Sequence, residues 1–165
     1  MARRTYDPDS LEEAFAIMDE RAEEDTRVFE LAPLDTRIEE MPLRTLRTLR
    51  AESRVSEAID EMVVHRVGAV GVVSDSDGKL IGLFTERDVV VRVAAKGLDP
   101  KHTRLSDVMT AQPDSLRVDD TLASVAYEMQ VHGFCHVPIA DEQGETRHLV
   151  SMRDVVTFLL RPVEA

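Results

Sequence analysis

The sequence predicts a mixed α/β (α+β) fold: two β-α-β-β-α repeats packed as a pseudo-symmetric pair, with an N-terminal helical extension. Three observations predict it. Thr85-Glu86-Arg87-Asp88-Val89-Val90 returns as Ser151-Met152-Arg153-Asp154-Val155-Val156. A short apolar run precedes each copy (Leu80 to Phe84, then Leu149-Val150), and a helix-length segment follows. Upstream, Met62 matches Met129 and His65 matches His132 at one constant offset. A single unit of this kind has too few elements to cover both faces of its strands, so the two copies must pack together.

The extension comes first, over residues 1–37. Ser10 followed by Glu13 is a capping-box start, and Leu11, Phe15, Met18 and Ala22 recur at helical spacing, so a helix is expected from about residue 11 to 24. Its narrow apolar stripe fits either packing on the domain surface or a dimer or partner contact. Val28 to Asp35, with Pro33, reads as a connector.

The first repeat spans 38–100 and the second 101–165, with 98–108 linking them. Thr48 to Val55 aligns with Ser115 to Leu122: a short extended run, a polar cap (Ser53, Asp120), then a helix. The first helix is expected to bury Val55, Ile59, Met62 and Val63, and the second Leu122, Val125, Ala126 and Met129. A strand follows, 67–73 matching 134–140, and the first copy is apolar throughout, as a buried strand should be. Asp77-Gly78 and Gly144 mark hairpin turns into return strands at 80–84 and 147–150. Val89-Val90-Val91-Arg92-Val93 has strand propensity, yet Thr85 with Asp88 starts a helix and Gly97 sits where a C-cap belongs, so helix is expected. The second copy stops at Arg161-Pro162.

Composition narrows the function. The 165 residues suffice for one domain or two small ones sharing a core. A net charge of -12 argues against nucleic acid or an anionic membrane as partner. Cys135 stands alone, so no internal disulfide forms, which fits a reducing compartment. Met1-Ala2-Arg3-Arg4 has no apolar run behind it, so no secretory signal is expected. Nothing approaches the roughly 20 apolar residues of a membrane span. A soluble, cytoplasmic protein is expected.

Read in order, these pieces resemble the tandem cystathionine β-synthase (CBS) domain pair, over about residues 42 to 161. The resemblance rests on Gly82-Leu83-Phe84-Thr85-Glu86-Arg87-Asp88, on Asp107-Val108-Met109-Thr110 leading to Pro113, and on His136-Val137-Pro138-Ile139 followed by Leu149-Val150-Ser151-Met152-Arg153-Asp154. The stand-alone bacterial members with Glu-Arg-Asp in the first unit look most similar. The second unit departs from the pattern, with Arg147-His148 where the family usually has Gly.

The resemblance implies a cleft between repeats that binds an adenosine nucleotide of the AMP, ADP or ATP class. It makes Asp88 and Asp154 ribose ligands. It puts Thr85, Arg87, Ser151 and Arg153 beside phosphate. It lines the adenine pocket with Gly68, Ala69, Val70, His136, Val137 and Pro138, closed by Thr48 and Ser115. It further implies a homodimer and a regulated partner protein in trans, with the nucleotide as regulatory ligand and no required cofactor or metal.

Elementary chemistry agrees. A carboxylate reads vicinal ribose hydroxyls, a helix N-terminus offers N–H groups to phosphate, and Arg adds a charge-assisted fork. The same spacing, Thr-x-x-Asp and Ser-x-x-Asp, is equally that of a capping box, and a cap recurs in a repeat as faithfully as a site. Capping and binding can coexist.

Other signals carry less. Asp75-Ser76-Asp77-Gly78 imitates a calcium loop but lacks its terminal Glu, so a hairpin turn is expected. His65 and His132 read as helix-end residues and His136 as a strand residue beside the cleft, not as a zinc set. Met109 and Met152 read as core residues. Arg44, Arg47 and Arg50 form a basic run that suits a ligand phosphate better than nucleic acid in so acidic a chain. No nucleophile elbow, Walker loop or dinucleotide fingerprint appears, so an enzyme is not expected. The competing reading is an interaction module without a physiological small ligand.

Overall fold

A computed structural model of the chain describes residues 29–31 and 34–162. The helix expected at 11–24 lies outside the described residues. The repeat fixes the architecture as anticipated. In the first repeat, strand β3 (Thr48–Arg50), helix α1 (Val55–His65), strands β4 (Ala69–Val73) and β5 (Leu80–Thr85) and a helix from Glu86 follow one another. In the second, β7 (Leu116–Arg117), α3 (Leu122–His132), β8 (His136–Ala140), β9 (Thr146–Ser151) and α4 (Met152–Leu159) repeat that order. In each, the first two strands run parallel across the helix and the next two form an antiparallel hairpin.

Each sheet is completed by the other repeat's lead-in. The short strand β2 (Arg44–Thr45) pairs with β9, giving the order β2-β9-β8-β7. Its counterpart β6 (Thr110–Ala111) pairs with β5, giving β3-β4-β5-β6. The exchange extends upstream. Leu34 and Thr36 carbonyls accept from the first-turn amides of Ala123 and Leu122 in α3. Pro100 and Thr103 do the same for Ser56 and Val55 in α1. These are the amides that a helix cannot satisfy internally.

Packing follows the same exchange. Ile38 and Met41 fill the second core with Leu122, Val125, Met129, Val137, Ile139, Val150, Val155 and Phe158. Leu105 and Val108 fill the first with Val55, Ala58, Met62, Val70, Val72, Phe84 and Val93. Leu46, Ala69 and Leu83 form a smaller cluster with Leu80 and Leu149, which come from the two different sheets. A two-stranded sheet of β1 (Phe29–Leu31) and β10 (Leu160–Pro162) lies at the chain ends, where a connector and a helix stop are expected from the sequence.

Several details differ from expectation. The N-caps are Arg54 and Thr121, each one residue later than Ser53 and Asp120. Glu57 identifies the first, accepting from the Arg54 amide at 2.7 Å. Asp120 instead accepts from the Arg117 amide at 2.7 Å, closing the preceding turn. Val63 is 71% exposed and Ala58 takes its place in the core, because Val55, Ala58 and Met62 hold the inward stripe. Met152 is exposed rather than core, while Met109 packs against the first core.

The helix from Glu86, α2, is continuous but not uniform. One turn at Glu86–Asp88 widens to a π turn over Val89–Val93 and tightens to a 3-10 turn over Ala94–Lys96. Gly97 closes it at φ 65, as a left-handed C-cap. The β-branched run therefore yields to the helix signals at its ends, at the cost of regular α geometry.

Candidate functional site

Two cavities lie where the repeats meet. The first is about 390 Å³ and is walled by the start of α2 on one side and the end of α3 with Gly133 to Pro138 on the other. The second is about 500 Å³ and mirrors it: the start of α4 faces the end of α1 and Arg66 to Ala69, with β2 along one edge. Gly68, Glu86, Cys135 and His136 line both.

The strand-to-helix junctions position the chemistry. In the first cavity Asp88 is buried, with 8% exposure. Its Oδ2 accepts from the Thr85 amide at 2.9 Å and from the Thr85 hydroxyl at 2.8 Å. Thr85 Oγ1 in turn accepts from the Asp88 amide at 3.3 Å. Oδ1 points away from this cap and pairs with Arg92 Nε at 3.1 Å. The second cavity repeats the arrangement. Asp154 Oδ2 accepts from the Ser151 amide and hydroxyl, and Oδ1 pairs with Arg44 Nε at 3.3 Å. Both capping boxes are thus complete, as the bland reading of the spacing requires. Each still leaves one carboxylate oxygen outside the cap and paired with an arginine, Arg92 of the same helix or Arg44 of β2.

The structure brings most of the candidates together. Thr85, Arg87, Asp88, Gly68, His136, Val137 and Pro138 line the first cavity. Ser151, Arg153, Asp154, Gly68, Ala69 and His136 line the second. Val70 lies in the first core, and Thr48 and Ser115 are exposed residues outside both linings. Arg87 donates to the Gly133 carbonyl at 2.9 Å, tying the start of α2 to the end of α3 across the cavity. Arg153, at the matching place, has no such bond among the described residues. Sequence reasoning does not single out Arg92, Arg66, Gln112 or Asp114 as lining residues; their signal is positional and emerges only when the repeats are docked.

His136 sits at the junction of the two cavities. Burial holds its imidazole below the ordinary value, against a weaker upward pull from Glu86 and then Asp154. It also explains Gly68. A Cβ there would lie 2.8 Å from His136 Cε1 and Nε2, so glycine lets the backbone just before β4 approach the ring without displacing it.

Two repeats interlocked around paired clefts, each with a carboxylate at a helix start, define a two-domain module of recognisable class. The chain belongs to the CBS domain family: the model of the CBS domain matches residues 38–95 and 105–161. A CBS domain-containing protein of Arabidopsis thaliana is 35% identical over 123 residues, covering 74% of this chain and 22% of that protein. The chain spans about a fifth of the length of the first plant relatives it matches. An uncharacterized conserved protein from Pyrococcus horikoshii superposes with a TM-score of 0.73 at 25% identity, over 81% of this chain and 99% of the other. A CBS domain protein from Pyrobaculum aerophilum complexed with AMP gives 0.66 at 23% identity, over 72% and 89%. A CBS domain pair in complex with 5-methylthioadenosine and S-adenosyl-L-methionine gives 0.65 at 21% identity, over 75% and 94%. The last two likenesses establish the shared fold. Among the described residues no helix is long and apolar enough to cross a membrane.

Proposed function

We propose that this chain is a regulatory CBS pair, not an enzyme, that binds an adenosine nucleotide of the AMP, ADP or ATP class between its repeats and signals to a cytoplasmic partner in trans. One observation carries the reading. At both clefts a helix-start carboxylate, Asp88 or Asp154, lines the cavity and keeps one oxygen outside its cap, paired with an arginine that a ligand can displace. A ribose diol needs an acceptor of that kind, and the complexes with AMP and with methylthioadenosine in proteins of the same fold support an adenosine ligand. Signalling requires that the nucleotide prefer one of two states of the module. The Arg87–Gly133 tie between repeats is an element that such a preference can shift.

The test is calorimetric titration of the purified chain with AMP and ATP. Asp88→Ala and Asp154→Ala are each expected to weaken the nucleotide at their own cleft by about tenfold or more, the loss of a hydrogen bond to a charged group. Affinity unchanged in both variants would overturn the reading.

A second reading, an interaction module without a physiological small ligand, is favoured by the exposed apolar residues on two outward helix faces. Val63 and Val64 of α1 are 71% and 72% exposed, and Tyr127 and Val131 of α3 are 60% and 53%. Under the first reading the same faces serve a homodimer. Absence of binding heat with every adenosine compound, in a folded protein, leaves the second reading standing.

A further inference from the structure

The geometry points to a division of the two clefts by charge, resting on the nucleotide reading above: the cavity of Asp154 takes a nucleoside triphosphate, and the cavity of Asp88 takes a nucleoside with at most one phosphate. The charged residues of the second cavity are Arg44, Arg47, Arg66 and Arg153 against Glu86 and Asp154. Those of the first are Arg87 and Arg92 against Glu86, Asp88, Asp114 and Glu128. The basic cavity occurs in a chain whose net charge is -12. A low-dielectric concave wall focuses such a difference rather than averaging it away.

Pairing sharpens the contrast. In the first cavity both guanidinium groups are engaged: Arg87 on the Gly133 carbonyl, Arg92 on Asp88 and on the Val108 carbonyl at 3.0 Å. The Arg87 charge is not balanced by a carbonyl, but Glu86 and Asp114 have no cationic partner among the described residues and outnumber it, so the unspent charge is negative. In the second cavity Arg66 and Arg153 are exposed and without a carboxylate partner among the described residues, and they outnumber the unpaired Glu86 that lines both cavities, so its unspent charge is positive. Arg47 is held by Glu61 at 3.1 Å. Arg44 is held by Asp154, and its backbone is fixed by the pairing of β2 with β9.

The repeat supplies an internal control. Arg44 pairs opposite Leu149, and its counterpart Thr110 pairs opposite Leu83. Arg66 ends α1 in the left-handed region at φ 53; at the end of α3 that position is Gly133, at φ 66. Glycine suits this backbone better, so packing alone does not account for an arginine there. Two of the four arginines therefore belong to the second cleft and not to the architecture that the repeats share. A polyphosphate entering beside Arg153 and Arg66 competes for Arg44 as well, and frees Asp154 Oδ1 for a ribose hydroxyl.

The experiment is calorimetric titration of the full chain with ATP, AMP, adenosine and inorganic tripolyphosphate. Variants are the double substitution Arg66→Gln/Arg153→Gln, Asp114→Lys and Asp88→Asn, with circular dichroism melts confirming the folds. The expected result is one ATP per chain, retained in Asp88→Asn and weakened about tenfold or more in the double variant, with adenosine changed less than about twofold. Asp114→Lys is expected to admit a second ATP. Equal filling of both clefts by ATP, or an unchanged ATP affinity in the double variant, overturns the division while leaving the nucleotide reading intact. Tripolyphosphate binding that is lost in the double variant, in a chain that takes up neither adenosine nor AMP, supports the basic site and overturns the nucleotide reading instead.

Discussion

Asp88 and Asp154 each divide their two oxygens between two tasks. Oδ2 completes the cap, and Oδ1 faces an arginine, Arg92 within the same helix or Arg44 from the other repeat's lead-in. Loss of the cap alone costs a helix about 1 kcal/mol. Asp88→Ala also leaves Arg92 only the Val108 carbonyl, so its melting temperature is expected to fall further than that of Asp154→Ala, whose partner Arg44 is well exposed. His136 makes a second prediction. Burial depresses its proton affinity in the folded chain, so the unfolded chain binds the proton first as pH falls. The stability this group contributes is complete above its ordinary value of 6.5 and is lost as pH falls through the lower folded value. Melts between about pH 8 and pH 5 are expected to show a smaller acid loss in His136→Gln than in the parent chain. At this scale the sequence shows local pairings well. Thr85 with Asp88 is a four-residue pattern that holds in any fold. Arg87 with Gly133, 46 residues apart, and Arg44 with Asp154 require the docked repeats and leave no mark in either segment alone.

The secondary elements were legible wherever the two copies could be read against each other. The helix over the valine run is an example, since its end signals outweighed propensity. The caps fall one residue past the cap residues that the sequence offers, because Ser53 closes a turn with its amide on the Arg50 carbonyl and Asp120 spends its carboxylate on the Arg117 amide. The departure of the second repeat from the family pattern also has a local basis. At Gly82 a Cβ would lie 2.2 Å from Met109 Sδ, so a side chain on the first repeat's return strand has to displace that methionine. The matching position in the second carries His148, paired opposite Thr45 of β2, with its Nδ1 buried and without a hydrogen-bond partner among the described residues. Gly82→Ala is expected to cost about 1–3 kcal/mol in urea unfolding. The second substitution Met109→Ala is expected to return part of that loss, because it removes the clashing sulfur.

The whole molecule is interlaced, and this was the least legible level. The sequence marks 98–108 only as a link between the units, yet Leu105 is fully buried and Val108 nearly so, both in the first core. Two-residue strands such as Arg44–Thr45 and Thr110–Ala111 are too short to show a period. The exchange has a direct test. A chain cut between Gly97 and Pro100 leaves the fragment before the cut without Leu105, and the fragment after it without Ile38. Each fragment alone is expected to lack cooperative unfolding by circular dichroism, and an equimolar mixture is expected to regain it. Folding of either fragment by itself would contradict the interlacing. The four residues common to both chambers have a different consequence. Gly68, Glu86, Cys135 and His136 form a party wall. A tenant that pushes His136 aside reshapes the room next door, and by linkage the neighbour returns the same push. On the nucleotide reading, two sites built this way are expected to be filled as neighbours rather than strangers, and titration of one ligand at saturating concentration of the other checks it.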